Sequence, residues 1–274
     1  MLRAELLSLL TTTATKVTAA VAVIGLVVTQ LMFVTLLPAL ARGDIGPGAA
    51  VLGDDLPVVD LASASAQLDT LNPLGASMGG GSIGIALIAI ALLGVLAGTS
   101  DDRYGGIVGA VLASPRRGRI VLAKAGAVGL AGIVLGAGMA VVSLLTLLGT
   151  LALTGMPLAA SAGDIAAASG RGVLAVACLA VLGLAVGILL RTQLVGVVTM
   201  IAVLIAEPMI AGITQLLSGG AAASWTGFLP VALVQNVIRG GSPELGLAVV
   251  AAGLAALTAA ALTAATFALS RRDV

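Results

Sequence analysis

A bundle of membrane-spanning α-helices, all-α and polytopic, is the fold class this sequence predicts. Three observations lead to it. Hydrophobic residues make up 59% of the chain and charged residues only 9%, where a soluble domain carries roughly 25% charge. Apolar stretches of about 20 residues, the length that crosses ~30 Å of hydrocarbon, recur six times along it. The basic residues collect between alternate pairs of those stretches rather than evenly.

The same composition excludes several classes of function. A net charge of +1 supplies no basic field for nucleic acid. The chain has no histidine, which removes the usual zinc clusters, catalytic triads and haem ligation together. Its one cysteine, Cys178, lies in an apolar run, where a lone thiol packs as a small hydrophobe.

Residues 1–16 place Leu2, Leu6, Leu9 and Leu10 at helical spacing, with Arg3 and Glu5 elsewhere on the wheel. This suits a short helix on the inner membrane surface, although the same residues would also serve as the start of the first span. That span is Val17–Leu40. Ala39-Leu40-Ala41 resembles a signal cleavage site, but the run from Val17 to Leu37 exceeds the ~7–15 apolar residues of a signal core. An uncleaved helix is predicted. Residues 41–81 carry Asp44, Asp54, Asp55, Asp60 and Asp69 among Gly, Pro and Ser, and read as a solvated extracytoplasmic loop.

The second span is Ser82–Thr99, followed by a charged inner segment over 100–122. The third, Ala123–Leu153, is too long for one straight crossing and should tilt or project. Gly172–Leu190 and Leu194–Leu217 are parted only by Arg191, Thr192 and Gln193, which predicts a tight helical hairpin. The outer segment 218–243 mixes glycine with Trp225, Phe228, Leu229 and Pro230 ahead of the apolar Val231–Ile238. It reads as a short helix dipping into the interface. Leu245–Leu269 completes six spans.

Orientation follows from the basic residues. With the N-terminus inside, the cytoplasm receives ten of them: Arg3, Lys16, Arg103, Arg116, Arg117, Arg119, Lys124, Arg191, Arg271 and Arg272. Only three, Arg42, Arg171 and Arg239, fall outside. Both termini are therefore expected in the cytoplasm.

Three motifs need weighing. The pairs Gly94/Gly98, Gly132/Gly136 and Gly183/Gly187 sit four apart, a spacing that lets helix backbones approach. Helix packing is the reading, with a dimer seam as the sharper alternative. Gly80-Gly81-Ser82-Ile83-Gly84 matches the nucleophile elbow of hydrolases, yet no histidine exists to take the serine proton. Lys124, the other conceivable base, belongs to the opposite membrane face. The Gly79–Gly84 stretch also lacks the Lys-Ser/Thr of a phosphate-binding loop. No cofactor site is expected in this chain, and any ATP and magnesium would be held by another.

The inner segment is the most informative. It reads Ser100-Asp101-Asp102-Arg103-Tyr104-Gly105-Gly106, an apolar Ile107–Ala113, then Ser114-Pro115-Arg116-Arg117-Gly118-Arg119 and Lys124. This order resembles the inner loop of the ABC-2 type transporter permeases, which carry an acidic-x-Arg-x-Gly-Thr motif, a short helix, Pro-Arg-rich residues and a lysine entering the next span. Asp101, Arg103 and Gly105 match the first part, and Pro115, Arg116, Arg117 and Lys124 the second. Asp101 stands where the family usually has Glu, and Gly106 where it has Thr. Six spans, inside termini, Trp225 with Phe228-Leu229-Pro230, and the closing Arg271-Arg272-Asp273 extend the similarity along the chain.

The resemblance implies a permease subunit paired with a second copy or a paralogue. It also implies a separate ATPase subunit that binds ATP and Mg, and outward export of a drug, lipid or peptide; the Ala/Gly/Val/Arg bias of the composition points to a bacterial plasma membrane. Asp101, Asp102, Arg103, Gly105, Pro115, Arg116, Arg117, Arg119 and Lys124 become the residues expected to couple to that ATPase.

Within the spans Glu207 stands out, about 13 residues past the inner start of the fifth, hence roughly 20 Å up at 1.5 Å per residue. An ionisable group at that depth is costly and points to function. Pro208 beside it removes a helical hydrogen bond and can kink the span. Glu-Pro at this place also resembles the family, which favours a structural or gating role over substrate contact. Gln30, in the first span, is a candidate of the same kind. Two other classes stay open on sequence alone: an ion-coupled secondary transporter using Glu207, and a membrane anchor or assembly partner that transports nothing.

Overall fold

The computed structural model describes residues 2–43, 61–75, 84–104, 117–220, 223–242 and 244–271, with the backbone alone at 41, 42, 101–104 and 117. Among the described residues every regular element is helical, and the one β-type pairing is an isolated bridge between Gly241 and Gly246. Five helices are long and apolar enough to cross a bilayer. The chain is an all-α, multi-pass membrane protein.

Helix α1 (Leu2–Thr11) is separate from its successor, because Thr12 is extended and turns the chain into α2 (Thr13–Gln30). The first span then widens into a π-helical stretch, Leu31–Leu36, before α3 (Leu37–Arg42). Pro38 lies just beyond that stretch. It has no amide to donate and its ring crowds the preceding turn, and a wider turn is one way to accommodate it.

A short helix, α4 (Ala64–Thr70), comes next, then α5 (Ile85–Tyr104). The apolar part of α5, Ile85–Ser100, is shorter than the five long helices. Helix α6 (Arg117–Thr154) has 38 residues, roughly 57 Å at 1.5 Å per residue, and so must tilt or project as its sequence suggests. It starts six residues before the predicted Ala123, within the basic stretch.

Helix α7 (Ala162–Leu190) starts ten residues before the predicted Gly172. The reason is a side-chain cap: Ser161 Oγ accepts the Asp164 amide at 3.1 Å and donates to Asp164 Oδ2 at 2.6 Å. That polar start carries the helix beyond its apolar stretch. The hairpin to α8 (Gln193–Leu217) turns on two residues, with Arg191 at φ 63 and its amide bonded to Gly187 O at 3.2 Å. A 3-10 turn at Ser224–Phe228, α9 (Pro230–Arg239) and α10 (Leu247–Ser270) complete the chain.

Helix α7 is the axis of the bundle: 67% of its spanning stretch is buried, against 11% for α10 at the periphery. Close approach to its neighbours depends on the paired glycines. A side chain at Gly94 or Gly98 would strike the α7 backbone at Ala180 and Leu184, and one at Gly183 or Gly187 the α5 backbone at Ala91 and Val95. Gly132 and Gly136 stand in the same way against Ala177 and Val173, on the α6 side. All three pairs form seams inside one chain, so the dimer-seam alternative is not needed to explain them.

The 41–81 segment is not a solvated loop over the part described. Leu61, Gln67, Thr70, Leu71, Asn72 and Leu74 are all buried, because this stretch turns back onto the ends of α6, α7 and α9 instead of arching over water.

Candidate functional site

Two polar assemblies stand at opposite ends of the bundle. The larger lies where α4 and α9, both too short to span, pack into the end formed by the start of α7 and the end of α6. We call it the plug.

Helix α9 begins with a chemical problem. Its first residue is Pro230 and the residue before it is Leu229, so no local side chain can accept the free amides of its first turn. Glu207 solves it from across the fold. Its Oε2 accepts the Val231 amide at 2.8 Å and its Oε1 the Ala232 amide at 2.6 Å. The carboxylate is buried and sits against the positive end of the α9 dipole. Its place as the ionisable group deep in the fifth span thus has a structural cause. Pro208 does not interrupt the helix, which runs on from Gln193 to Leu217.

The α4 segment is fixed by Gln67, whose side chain is completely buried. Its Nε2 donates to Leu61 O at 2.9 Å and Pro157 O at 3.1 Å, and its Oε1 accepts the amides of Ala159 and Ala160 at 2.9 and 3.1 Å. Every hydrogen-bonding position of the amide is used, which ties α4 to the α6–α7 connection. The next residues reach inward. Thr70 O accepts Gln30 Nε2 at 2.6 Å, and the same nitrogen lies 3.3 Å from Ser143 Oγ of α6. Gln30 is fully buried, and its Oε1 has no partner among the described residues. It stands where the first span turns π-helical, a feature often found at working sites. Asn72 Nδ2 then donates to Gln235 Oε1 of α9 at 2.8 Å, and so joins the two short helices into one body.

Asp69 lies at the rim beside Arg171 and Arg239. Partial burial pushes its carboxyl above the ordinary value of 3.8, and the Arg239 guanidinium pulls it back in part. A raised folded value means the folded state holds the proton more tightly than the unfolded chain. The associated stabilisation is complete below the ordinary value and is lost as pH rises through the folded one. Asp69→Asn should therefore melt slightly higher than wild type at neutral pH, with the gap closing under acid. The effect is small because Asp69 keeps much of its exposure. Thermal melts from neutral pH downward check this, and a variant that melts lower at neutral pH would contradict it.

The second assembly is at the other end. Lys124 on α6 is buried, pairs with Glu5 Oε2 of α1 at 3.3 Å, and donates to Ala97 O of α5 at 3.4 Å. Leu6 and Leu9 of α1 pack on the same core. Lys124 thus latches α1 to both α5 and α6, the helices that lead into and out of the 100–122 segment. Of the other inner candidates, Arg119 is exposed on α6. The backbone at Asp101, Asp102, Arg103 and Arg117 is helical, while Gly105, Pro115 and Arg116 lie outside the described residues, as does Ser82 of the elbow motif.

Sequence reasoning singled out Glu207 and Gln30 for a pathway or gating role and Lys124 for coupling, and missed the contacts these residues make and Gln67, Asn72, Gln235 and Glu5 as partners. The only available signal for the plug was the amide-bearing Gln67 and Asn72 set close to leucines within an otherwise acidic loop.

What these elements define is a class: a multi-pass helical membrane protein with two joined short helices packed at one end of the bundle and a short N-terminal helix latched to it at the other. No family model matches the chain, and no curated protein shows significant similarity to it.

Proposed function

We propose that the chain is the pathway-forming permease subunit of an ATP-driven exporter of the ABC-2 type. The observation that carries this reading is the order of residues in the inner segment, from Asp101 and Arg103 through Pro115, Arg116 and Arg117 to Lys124. The Glu5–Lys124 latch supports it, because it makes the surface helix and both edges of that segment one mechanical unit.

In this reading the chain crosses the membrane six times, with α5 as the sixth crossing, and both termini face the cytoplasm of a bacterium. A second copy or a paralogue completes the pathway. A separate ATPase subunit binds ATP and Mg beneath the 100–122 segment. Closure of the ATPase pushes on that segment, and the bundle rocks as a rigid body. Asp101 and Arg103 pin the segment while Arg116 and Arg117 hold it to the ATPase or to anionic headgroups. The plug then closes the outer end of the pathway, with Gln30 beneath it. Apolar walls suit a hydrophobic or amphipathic substrate.

The test is a pull-down of the tagged protein from native membranes in mild detergent, with an ATPase assay of what accompanies it. A stoichiometric ATPase should be recovered. Arg103→Ala should leave insertion intact while separating ATP turnover from transport, with transport falling at least about tenfold, the equivalent of ~1.4 kcal/mol. Normal transport in that variant, or the absence of any ATPase from well-folded material, would count against the reading.

A further inference from the structure

Only three basic residues fall on the plug side of the charge pattern, and two of them, Arg171 and Arg239, line a single cleft with Asp69 and Asn72. Among the described residues that line it, the cleft has two guanidinium groups and one carboxylate, and Arg239 is already engaged, which leaves Arg171 as the group to consider. Asn72 adds a wall rather than a reactive group. Its Nδ2 is spent on Gln235 and its Oδ1 accepts the Leu74 amide at 2.9 Å.

Arg171 is held in place. Its Nε donates to Ile238 O, in the last turn of α9, at 3.3 Å. Its guanidinium carbon lies 3.4 Å from where a β-carbon would stand on Gly240, which has φ +89, a conformation glycine adopts without strain. Ile238 O is the one acceptor Arg171 meets among the described residues. The two terminal nitrogens are therefore left as a planar fork of the kind that matches carboxylate and phosphate. Leu68 and Ala168 give the cleft an apolar side next to that charge.

We propose that the cleft between α4, α7 and α9 binds an anionic headgroup, a phosphate or carboxylate carried by an amphiphile, with Arg171 as the direct ligand and Asp69 as the internal group it competes with. The bland alternative is that Arg171 only caps the C-terminal end of α9. The two differ in sign at Asp69. A cap is indifferent to that carboxylate, whereas an anion gains when it is neutralised. The proposal does not rest on the transporter reading and is tested without ATP or a partner chain.

The full-length protein is reconstituted into nanodiscs of phosphatidylcholine doped with phosphatidylglycerol, and the lipid it retains is read by native mass spectrometry. Wild type should retain phosphatidylglycerol selectively, and less so as salt is raised. Retention should fall about tenfold in Arg171→Gln, the loss of a charge-assisted contact. It should largely survive in Arg171→Lys and rise in Asp69→Asn. Displacement by inorganic phosphate would support recognition of the headgroup alone, and resistance to it recognition of the whole amphiphile. Equal retention of the two lipids, no change in Arg171→Gln, or lower retention in Asp69→Asn would each overturn the proposal. Should Arg171→Gln fail to fold, the Asp69→Asn result decides alone.

Discussion

Gly183→Leu is expected to destroy the bundle, with a stability loss of at least about 3 kcal/mol, the upper end of what overpacking costs. The added side chain would meet the Ala91 carbonyl of α5, whose carbon lies 3.1 Å from the β-carbon position, and the α-carbon of Gly94 at 3.2 Å. These are backbone atoms, so no rotamer change relieves the overlap, and α5 and α7 must separate. Lipid tails are as apolar as the helices, so helix association in a membrane relies on close contact rather than on a hydrophobic driving force. Separation therefore forfeits most of what joins the two helices. Size-exclusion chromatography and thermal melts of the purified protein in detergent provide the readout. Gly138→Ala is the control, since nothing lies within 4 Å of its β-carbon position, and it should melt at or slightly above wild type. A Gly183→Leu protein that elutes and melts like wild type would mean the two backbones do not touch.

Glu207→Ala is expected to cost about 3 kcal/mol, since hydrogen bonds to charged groups contribute ~1.5–3 kcal/mol each and the donors left behind are costly when unsatisfied. Glu207→Gln should cost about half of that, because its one amide oxygen can still serve Val231 or Ala232 but the charge at the helix dipole is gone. The loss should be local before it is global. Hydrogen exchange at the Val231 and Ala232 amides, bonded to Glu207 at 2.8 and 2.6 Å, should accelerate in both variants and most in alanine. Exchange at the start of α7, capped by Ser161, should stay unchanged. Wild-type exchange at both α9 amides in Glu207→Ala would show that the carboxylate is not their partner. It would return Glu207 to the pool of groups free to carry a proton.

Both variants bear on how α9 and α4 work together. The short helices are joined by Asn72 and Gln235, so loosening α9 at its Glu207 end should also loosen the α4 segment. Gln67, by contrast, anchors α4 to the α6–α7 connection through both faces of its amide. The plug thus has one anchor on a buried carboxylate and another on a buried amide.

Much of this was legible in the sequence for a simple reason. A hydrocarbon core demands that each crossing be helical and apolar for about 20 residues, so composition and run length alone identify five of the predicted spans, while the predicted Ser82–Thr99 corresponds to the shorter apolar stretch Ile85–Ser100. The hairpin at Arg191 and the short helix after Pro230 followed from punctuation by charge and proline. Glu207 stood out because depth makes an ionisable residue expensive, and Gln30 because a neutral amide there is also costly unless it is hydrogen-bonded.

Tertiary structure decided what these residues touch. Nothing local indicates that Glu207 and Val231, 24 positions apart, would solve each other's problem, since one needs donors and the other an acceptor only once both are buried together. The paired glycines announced close packing, but only the fold chose between a seam within the chain and one between chains. The Leu61–Gly75 stretch looked like a loop because acidic and small residues dominate its flanks. Its burial depends on Gln67 and Asn72 finding partners at 157–160 and 235, and hydrogen-bond satisfaction at that range leaves no periodic trace in a sequence.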